Sequence, residues 1–367
     1  MKVLLLSCDT GCGHNSAARA ICEELTTRGI EHELLDPLTL GDSRAGDIAS
    51  DLYTKMLRDA PGLFGKLYKL GDCYSKSKLT SPIYLANKAY ADRLYRYIEE
   101  NHFDRVISTH LFPMEATTAL KKEGKNIRAY GVLTDYTCVP FFDETRLDGY
   151  FIPHEDLRHE MILRGMPDSR IFVTGIPVAA KFADHVEKSE ARRKLGIPKD
   201  KDMLLIMSGG VGCGQIPELC DIITRARRER DFVAYVLVGR NNDMKEELDR
   251  RFGVSSHICT VPFTTDVNLY MNAADAMISK PGGLTSTEAA VAGVPLVQLL
   301  TYTACEEKNI EFFAERKMSI KADSPMAAAE KAFGLIDNHR AAELVRRCQS
   351  ENIFPDAASR IVSKVIE

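Results

Sequence analysis

The chain has 367 residues, which is longer than one typical domain core and predicts two domains. Its formal net charge of −4 argues against a general nucleic-acid-binding protein, because such proteins carry excess positive charge to pair with phosphates. No apolar run approaches the roughly 18 residues of a membrane-spanning helix, and ten cysteines without a CxxC pair indicate reduced thiols. We therefore expect a cytoplasmic protein that at most contacts a membrane surface.

The first apolar run, residues 2–8, is predicted to be a strand, because its apolar part is shorter than the roughly 7–15 residues of a secretory signal. The segment "DTGCGHNSAA" (9–18) follows, and then a stretch with helical spacing. A strand, a glycine turn and a helix start present free backbone N–H groups to a ligand. We expect His14 just before this helix, whose positive end favours a neutral ring that can accept a proton from an alcohol.

Three other interpretations of this loop stay open. His14 could simply cap the helix. A metal site of Cys8, Asp9, Cys12 and His14 is disfavoured, because the spacing matches no standard zinc pattern and Cys8 should point into the core. The glycines also approach a dinucleotide fingerprint, with Asp36 about where a ribose-binding acid would sit, so an NAD-dependent dehydrogenase remains a weaker alternative.

Short apolar runs alternate with helical stretches along the chain, which predicts an α/β protein with parallel sheets and crossover helices. The pattern restarts near residue 200, so we expect two Rossmann-like domains, 1–178 and 179–340, facing a cleft between them. The final helical segment, 341–367, could cross back to the first domain. The predicted strands are 2–8, 31–36, 105–109, 129–135, 149–153, 171–177, 203–209, 233–239, 257–263, 276–280 and 295–300.

Residues 53–100 interrupt the alternation: they lack a strand pattern, are rich in tyrosine and carry more Lys and Arg than Asp and Glu. A basic, aromatic helical surface suits an anionic membrane. A helical insertion that packs on its own domain explains the same composition equally well. The candidate membrane-facing residues are Phe64, Lys66, Tyr68 and Lys69.

Ionisable side chains follow four predicted strands of the first half, namely His14, His110, Asp135 and His154. Ligands of parallel α/β sheets bind beyond the carboxyl ends of the strands, so these groups are expected on one rim. His14 and Asp135 are the candidates to take a proton from a hydroxyl.

Two glycine turns follow strands of the second half. "SGGVGCGQ" (208–215) suits a diphosphate, and it lacks the Lys-Ser/Thr pair of a nucleotide-hydrolysing P-loop. "SKPGGLTSTEAAVAGVP" (279–295) leads from a strand into a helix that carries Glu288, a carboxylate able to accept hydrogen bonds from both ribose hydroxyls. "ACEEKNIEFF" (304–313) opens the next helix with polar residues. A plain turn with a solvated Glu288 is the less favoured interpretation.

At these motifs the sequence resembles the GT-B glycosyltransferases of family 28, in particular diacylglycerol glucosyltransferases and monogalactosyldiacylglycerol synthases. The resemblance runs over nearly the whole chain. The motifs that carry it are "GCGHNSAA", "FPMEAT", "GVLTDYT", "VTGIPV", "LLIMSGGVGCG", "ISKPGGLTSTEAAVAGVP" and "EEKNIEFF". It implies a GT-B fold and an inverting, metal-independent enzyme without a cofactor, which moves a hexose from a UDP-sugar to a lipid hydroxyl at the cytoplasmic membrane face.

The resemblance also implies roles for individual residues. Glu288 would hold the ribose, and His14 or Asp135 would be the base. Gly13 and His110 would face the acceptor, and Phe263 and Thr264 would lie near uracil. The remaining donor-binding positions are Ser208, Gly209, Gly210, Gly212, Gly214, Pro281, Gly282, Gly283 and Thr285 for the diphosphate and Glu306, Glu307 and Asn309 for the sugar and phosphates.

Two other functions of a UDP-sugar-binding protein stay open: a UDP-sugar epimerase of GT-B type and a non-catalytic UDP-sugar sensor. The basic, tyrosine-rich segment favours the transferase over both. The sequence leaves open the donor hexose, the lipid acceptor, the number of sugars added, the choice of base and the oligomeric state.

Overall fold

The structure, a computed structural model, describes residues 1–8, 12–40, 81–207, 215–226, 231–253, 257–300 and 304–367. The chain divides into two compact units. Unit 1 contains Met1–Ala180, Tyr302–Cys305 and Pro355–Glu367, and unit 2 contains Lys181–Thr301 and Glu306–Phe354.

Unit 1 is built on a six-stranded parallel sheet of order β2-β1-β3-β4-β5-β6. Its α-helices lie in the crossovers between the strands, except that the connection from β4 to β5 contains only the short 3-10 helix Phe142–Glu144. The strands are β1 (Lys2–Leu6), β2 (Glu31–Leu35), β3 (Arg105–Ser108), β4 (Ala129–Val132), β5 (Gly149–Ile152) and β6 (Ile171–Val173). The helices are α1 (Cys12–Thr27), α2 (Pro82–Lys88), α3 (Ala91–Glu100), α4 (Leu111–Lys122) and α5 (Glu155–Leu163).

Both faces of this sheet are covered, as strand β1 shows. Val3 and Leu5 pack into one apolar cluster with Ile21, while Leu4 and Leu6 belong to a second cluster on the opposite face. Side chains of a strand alternate between faces, so a continuous apolar run is required when both faces are buried. The run "VLLL" therefore reflects burial on two sides.

The described part of the basic, tyrosine-rich segment, residues 81–100, folds as α2 and α3 and packs on unit 1. Ser81 caps α2 by accepting a hydrogen bond from the Tyr84 N–H at 2.9 Å. Tyr84, Leu94 and Ile98 are buried in the unit 1 core. For these residues, packing on the domain accounts for the apolar side chains. Phe64, Lys66, Tyr68 and Lys69 lie outside the described residues.

The end of the chain completes unit 1. Helix α14 (Ala357–Ile366) buries Ile361, Val362 and Val365 against the same face of the sheet as α1. Arg28, just after α1, donates hydrogen bonds to the Ser359 carbonyl and hydroxyl oxygens and to the Ser363 hydroxyl oxygen.

Unit 2 repeats the plan with a parallel sheet of order β12-β11-β10-β7-β8-β9 and one apolar core. The strands are β7 (Asp202–Met207), β8 (Phe232–Gly239), β9 (Ile258–Pro262), β10 (Ala276–Ser279), β11 (Leu296–Leu299) and β12 (Ile320–Ala322). The helices are α6 (Lys188–Leu195), α7 (Ile216–Ala226), α8 (Asn242–Phe252), α9 (Val267–Ala273), α10 (Gly283–Ala292), α11 (Ala304–Glu315, in unit 2 from Glu306), α12 (Pro325–Asp337) and α13 (His339–Asn352).

The expected α/β class with two parallel sheets is confirmed, and three details differ. Strand β12 was not predicted, because Ile320–Ala322 is only three residues long and no apolar run marks it. The segment 341–367 does not cross back as a whole: it contains most of α13, which belongs to unit 2, and α14, which belongs to unit 1. Helix α1 begins at Cys12, so His14 lies in its first turn and not before it.

Candidate active site

His14 lies where the sheet of unit 1 reverses its strand order, between β1 and β3. Side chains at such a point converge beyond the carboxyl ends of both strands, which is where α/β proteins bind ligands. The His14 Nδ1 atom is 2.8 Å from the Thr109 carbonyl oxygen and 3.0 Å from the Thr134 hydroxyl oxygen. A carbonyl oxygen can only accept, so Nδ1 carries the hydrogen and the lone pair of the neutral ring is on Nε2.

Burial lowers the pKa of His14 below its ordinary 6.5, while the charge of Asp135 and the hydrogen bond to Thr109 oppose that shift. The ring is therefore neutral at pH 7. The nearby charge of Asp135 stabilises the charged form of the ring once His14 has accepted a proton. His14 and Asp135 are both partly exposed. This pairing is suited to accepting a proton from a hydroxyl and holding it.

His110 packs edge-on against His14, with the ring centroids 4.6 Å apart. Its Nδ1 atom accepts a hydrogen bond from the Phe112 N–H at 3.2 Å and so caps α4. Burial lowers the pKa of His110 well below 6.5, and His14 lowers it further. His110 is thus a neutral ring beside His14, and its predicted contact with the acceptor stays a prediction, as does that of the partly exposed Gly13.

Asp36, the candidate ribose-binding acid of the dehydrogenase alternative, has a structural role. Its Oδ1 atom accepts a hydrogen bond from the Leu38 N–H at 3.0 Å, in the turn after β2. Burial and the neighbouring Asp36 charge raise the pKa of the Cys8 thiol, which is completely buried. Among the described residues, no three His, Cys, Asp or Glu side chains are grouped closely enough to hold a metal ion.

The sheet of unit 2 reverses its strand order between β7 and β10, and the turn Lys280–Gly283 follows β10. The Gly282 N–H donates to the Lys280 carbonyl oxygen at 3.0 Å, and Gly282 precedes α10 without any side-chain cap. Helix α10 therefore begins with N–H groups that no capping side chain occupies. Such an end, with its positive partial charge, suits an anion.

Glu288 and Thr285 lie in the first two turns of α10, and both are partly exposed. Burial raises the pKa of Glu288 to about 8, although the nearby Lys181 charge opposes this shift. Desolvation thus makes the ionised form costly until a ligand supplies hydrogen-bond donors. Two ribose hydroxyls are donors of this kind.

Helix α11 holds three predicted donor-binding residues, and they differ in their surroundings. Glu306 accepts a hydrogen bond from Lys280 at 2.8 Å, and Glu307 is exposed. Asn309 is completely buried, and its Nδ2 atom donates to the Pro281 carbonyl oxygen at 3.0 Å. Asn309 therefore fixes the turn before α10, and a direct contact with the donor stays a prediction.

Phe263 and Thr264 follow β9. Phe263 is 55% exposed, and the Arg240 guanidinium lies 5.0 Å from its ring centroid. The Thr264 hydroxyl oxygen accepts a hydrogen bond from the Asp266 N–H at 3.1 Å. An exposed aromatic ring beside a cation is available to a planar base. The other predicted donor-binding residues, Ser208, Gly209, Gly210, Gly212 and Gly214, lie outside the described residues.

Sequence reasoning missed Thr109, Thr134, Lys280 and Lys181. Thr109 follows β3, and Thr134 precedes the predicted Asp135, so the rule that strand ends supply ligands could have found both. Lys280 precedes the Pro-Gly-Gly turn and could have been noted there. Lys181 is far from Glu288 in sequence, and no pattern signals their proximity.

Two sequence models of known families match the chain. One is the monogalactosyldiacylglycerol synthase family, over residues 14–178, and the other is the glycosyltransferase family 28 C-terminal domain, over residues 203–315. The chain therefore combines a region of the monogalactosyldiacylglycerol synthase family with the C-terminal domain of glycosyltransferase family 28. The first match covers His14, His110 and Asp135, and the second covers Glu288 and the start of α11.

Individual proteins and solved structures are similar to the chain over nearly its whole length. The processive diacylglycerol beta-glucosyltransferase of Bacillus pumilus is 25% identical over 371 residues, covering 100% of this chain and 94% of that protein. Acinetobacter baumannii MurG has a TM-score of 0.63 at 14% identity, with 99% of both chains covered. UDP-GlcNAc 2-epimerase from Neisseria meningitidis has a TM-score of 0.62 at 15% identity and 100% coverage of both chains. These likenesses confirm the GT-B fold of this glycosyltransferase.

Proposed function

We propose that this glycosyltransferase moves glucose or galactose from a UDP-sugar to a lipid hydroxyl such as that of diacylglycerol, with inversion at the anomeric carbon. The observation that carries the proposal is the hydrogen bond from His14 Nδ1 to the Thr109 carbonyl oxygen at 2.8 Å. It leaves Nε2 as the basic atom of a neutral ring, which a direct attack by a hydroxyl needs. The lipid acceptor is supported by the names of relatives such as the Bacillus pumilus enzyme.

In this reaction the acceptor oxygen attacks the anomeric carbon of the sugar. The new C–O bond forms as the bond to the diphosphate oxygen breaks, and UDP leaves with the electron pair. The hydroxyl proton moves to His14 Nε2. The nearby Asp135 charge, which raises the pKa of His14, stabilises the imidazolium that results.

Unit 2 holds the donor in this proposal. Glu288 accepts hydrogen bonds from the ribose hydroxyls, and the N–H groups at the uncapped start of α10 face the diphosphate. Developing negative charge on UDP is then stabilised by backbone dipoles, with neither a metal ion nor a cofactor as part of the proposal. Phe263 lies near uracil, and Glu306 and Glu307 lie near the sugar and phosphates.

We further propose peripheral binding to the cytoplasmic face of an anionic membrane, because the acceptor is a membrane lipid. The basic and aromatic composition of residues 53–100 supports this proposal. Among the described residues, no helix is long and apolar enough to cross a membrane.

The experiment is an assay of the purified protein with a panel of UDP-hexoses and vesicles of diacylglycerol in anionic lipid, followed by mass spectrometry of the lipids. We expect a hexosyl-diacylglycerol whose anomeric configuration, read by NMR, is opposite to that of the donor. The product should form equally well in EDTA. Interconversion of UDP-sugars without vesicles would identify an epimerase instead, and nucleotide binding without any turnover would identify a sensor.

Two variants assign the roles within the reaction. His14→Ala should lower kcat by about 100-fold or more while the KM for UDP-sugar is kept, because a missing general base typically costs 10²–10⁴-fold. Glu288→Ala should raise the KM for UDP-sugar. His159→Ala, at an exposed histidine on α5, is the control and should leave both constants unchanged. Full turnover of His14→Ala would assign the base to Asp135.

A further inference from the structure

Two oxygen atoms face the same nitrogen of His14. The Thr109 carbonyl oxygen lies 2.8 Å from Nδ1, and the Thr134 hydroxyl oxygen lies 3.0 Å from it. Since the carbonyl requires a hydrogen on Nδ1, the Thr134 oxygen can share that hydrogen as a second acceptor. Nδ1–H is thus held by two elements, the end of β3 and the end of β4.

The hydroxyl groups of Thr109 and Thr134 contact different parts of His14. The Thr109 hydroxyl donates to the His14 main-chain carbonyl oxygen at 3.1 Å, so Thr109 also ties the first turn of α1 to the end of β3. Thr134 contacts the ring of His14 through its hydroxyl. It is 8% exposed and follows β4 by two residues, so the sheet fixes its position.

We infer that Thr134 is a positioning residue for His14, whose hydroxyl oxygen restricts rotation of the ring and so keeps Nε2 directed toward the acceptor. The inference rests on the proposed function, in which Nε2 takes the acceptor proton. The Thr109 carbonyl fixes the tautomer, and a second oxygen at Nδ1, on a different element of the sheet, restricts rotation of the ring.

The consequence for catalysis is specific. Loss of the Thr134 hydroxyl leaves the Thr109 carbonyl in place, so His14 remains in the site with its hydrogen on Nδ1, but its ring is held less firmly. Conformers in which Nε2 points away from the acceptor are inactive. The turnover number falls, whereas donor binding in unit 2 is unaffected.

The test compares Thr134→Val, which keeps the shape of the side chain, with Thr134→Ser, which keeps the hydroxyl. Thr137→Val is the matched control, because Thr137 lines the same small cavity of about 30 Å³ as Thr134. We expect Thr134→Val to lower kcat about tenfold with the KM for UDP-sugar unchanged, as the loss of one hydrogen bond implies. Thr134→Ser and Thr137→Val should keep kcat within about twofold. Thr134→Ala replaces the valine variant should circular dichroism show that it does not fold.

A second measurement does not depend on activity. In protein labelled with ¹⁵N-histidine, ¹H–¹⁵N correlations of the ring report the Nδ1–H group, and the spectrum of His14→Ala assigns the His14 signals. We expect a sharp Nδ1–H signal in the wild type and in Thr134→Ser, and a signal broadened by faster exchange with water in Thr134→Val.

The inference is overturned by an unchanged Nδ1–H signal in Thr134→Val, by an unchanged kcat in that variant, or by an equal loss in Thr134→Ser. Should the wild type transfer no sugar to any lipid, the proposed function fails. The NMR spectra then decide separately whether Thr134 holds the ring.

Discussion

Lys280 and Glu306 form an ion pair across unit 2, with Lys280 Nζ and Glu306 Oε1 2.8 Å apart. Lys280 precedes the turn into α10, and Glu306 lies in the first turn of α11. The two side chains are 29% and 14% exposed, so the pair is partly shielded from water. It joins the two helix starts that we propose for donor binding, and its strength affects how rigidly they are held.

The Lys280–Glu306 pair should contribute more to stability than an exposed pair of the same type. In a double-mutant cycle with Lys280→Met and Glu306→Gln, urea unfolding should give a coupling free energy of about 1–2 kcal/mol. Lys308–Glu311 on α11, with both side chains exposed, is the matched control and should give less than about 0.5 kcal/mol. Equal coupling in the two cycles would contradict this expectation.

The Glu288 carboxyl should make nucleoside binding depend on pH. Its pKa is raised to about 8, and only the carboxylate accepts a hydrogen bond from each ribose hydroxyl at full strength. Affinity for uridine, which has no phosphate to titrate, should therefore rise about tenfold from pH 6 to pH 7 and level off above about pH 8. Calorimetric titration measures this. Glu288→Gln should remove the slope, and Glu311→Gln should retain it.

Glu115 should make the protein less stable as the pH rises. This residue on α4 is completely buried, none of the described residues hydrogen-bonds its carboxyl oxygens, and burial followed by the Glu144 charge raises its pKa to about 9. The unfolded chain releases the proton from its ordinary pKa of 4.5 upward, while the folded chain keeps it until about 9. Stability associated with this group is therefore complete below about pH 4.5 and is lost progressively up to about pH 9.

Glu115→Gln removes this linkage. The variant should gain stability relative to the wild type by about 4 kcal/mol from pH 5 to pH 8, because each pH unit between the two pKa values changes the free energy of unfolding by about 1.4 kcal/mol. Urea unfolding at pH 5, 6.5 and 8 measures the difference, with the exposed Glu100→Gln as control. Parallel stability curves for the wild type and Glu115→Gln would show that the carboxyl is not neutral in the folded protein.

The acidic limb of the pH–rate profile should lie below pH 6.5. Burial lowers the pKa of His14, so kcat, measured at saturating UDP-sugar to exclude the effect of Glu288 on binding, should fall only below pH 6.5. Asp135→Asn should move the limb to still lower pH, because the Asp135 charge raises the pKa of His14. Asp168→Asn, at an exposed site, should leave the limb in place. Complete loss of turnover in Asp135→Asn would instead assign the base to Asp135.

Much of the fold is contained in local patterns of the sequence. Strands of a parallel sheet buried on both faces need continuous apolar runs, so eleven of the twelve described strands in the two sheets could be predicted from the sequence. The three-residue β12 has no such run. Helix α1 begins at Cys12, so Gly13 is already part of the helix. The composition of the segment does not show where the helix begins.

Candidate site residues could be predicted where they follow a strand, as His14, His110 and Asp135 do. Their partners could not be derived in the same way. The contact between His14 and Thr134 spans 120 positions and depends on the order of the strands in the sheet, which a single sequence does not specify. The burial of Asn309 could not be predicted from the sequence either, because "EEKNIEFF" begins with polar residues and the contact of Asn309 with Pro281 depends on how the helix packs.

Because helix α14 belongs to unit 1, unit 2 is completed before unit 1 during synthesis. Unit 2 has all of its residues once Phe354 has left the ribosome, whereas the core of unit 1 still lacks Ile361, Val362 and Val365. The first half of the chain, although translated first, is therefore the last to reach its final form. A fragment that stops before Pro355 leaves an apolar face of the unit 1 sheet open to water, and it exposes that face for association with other chains.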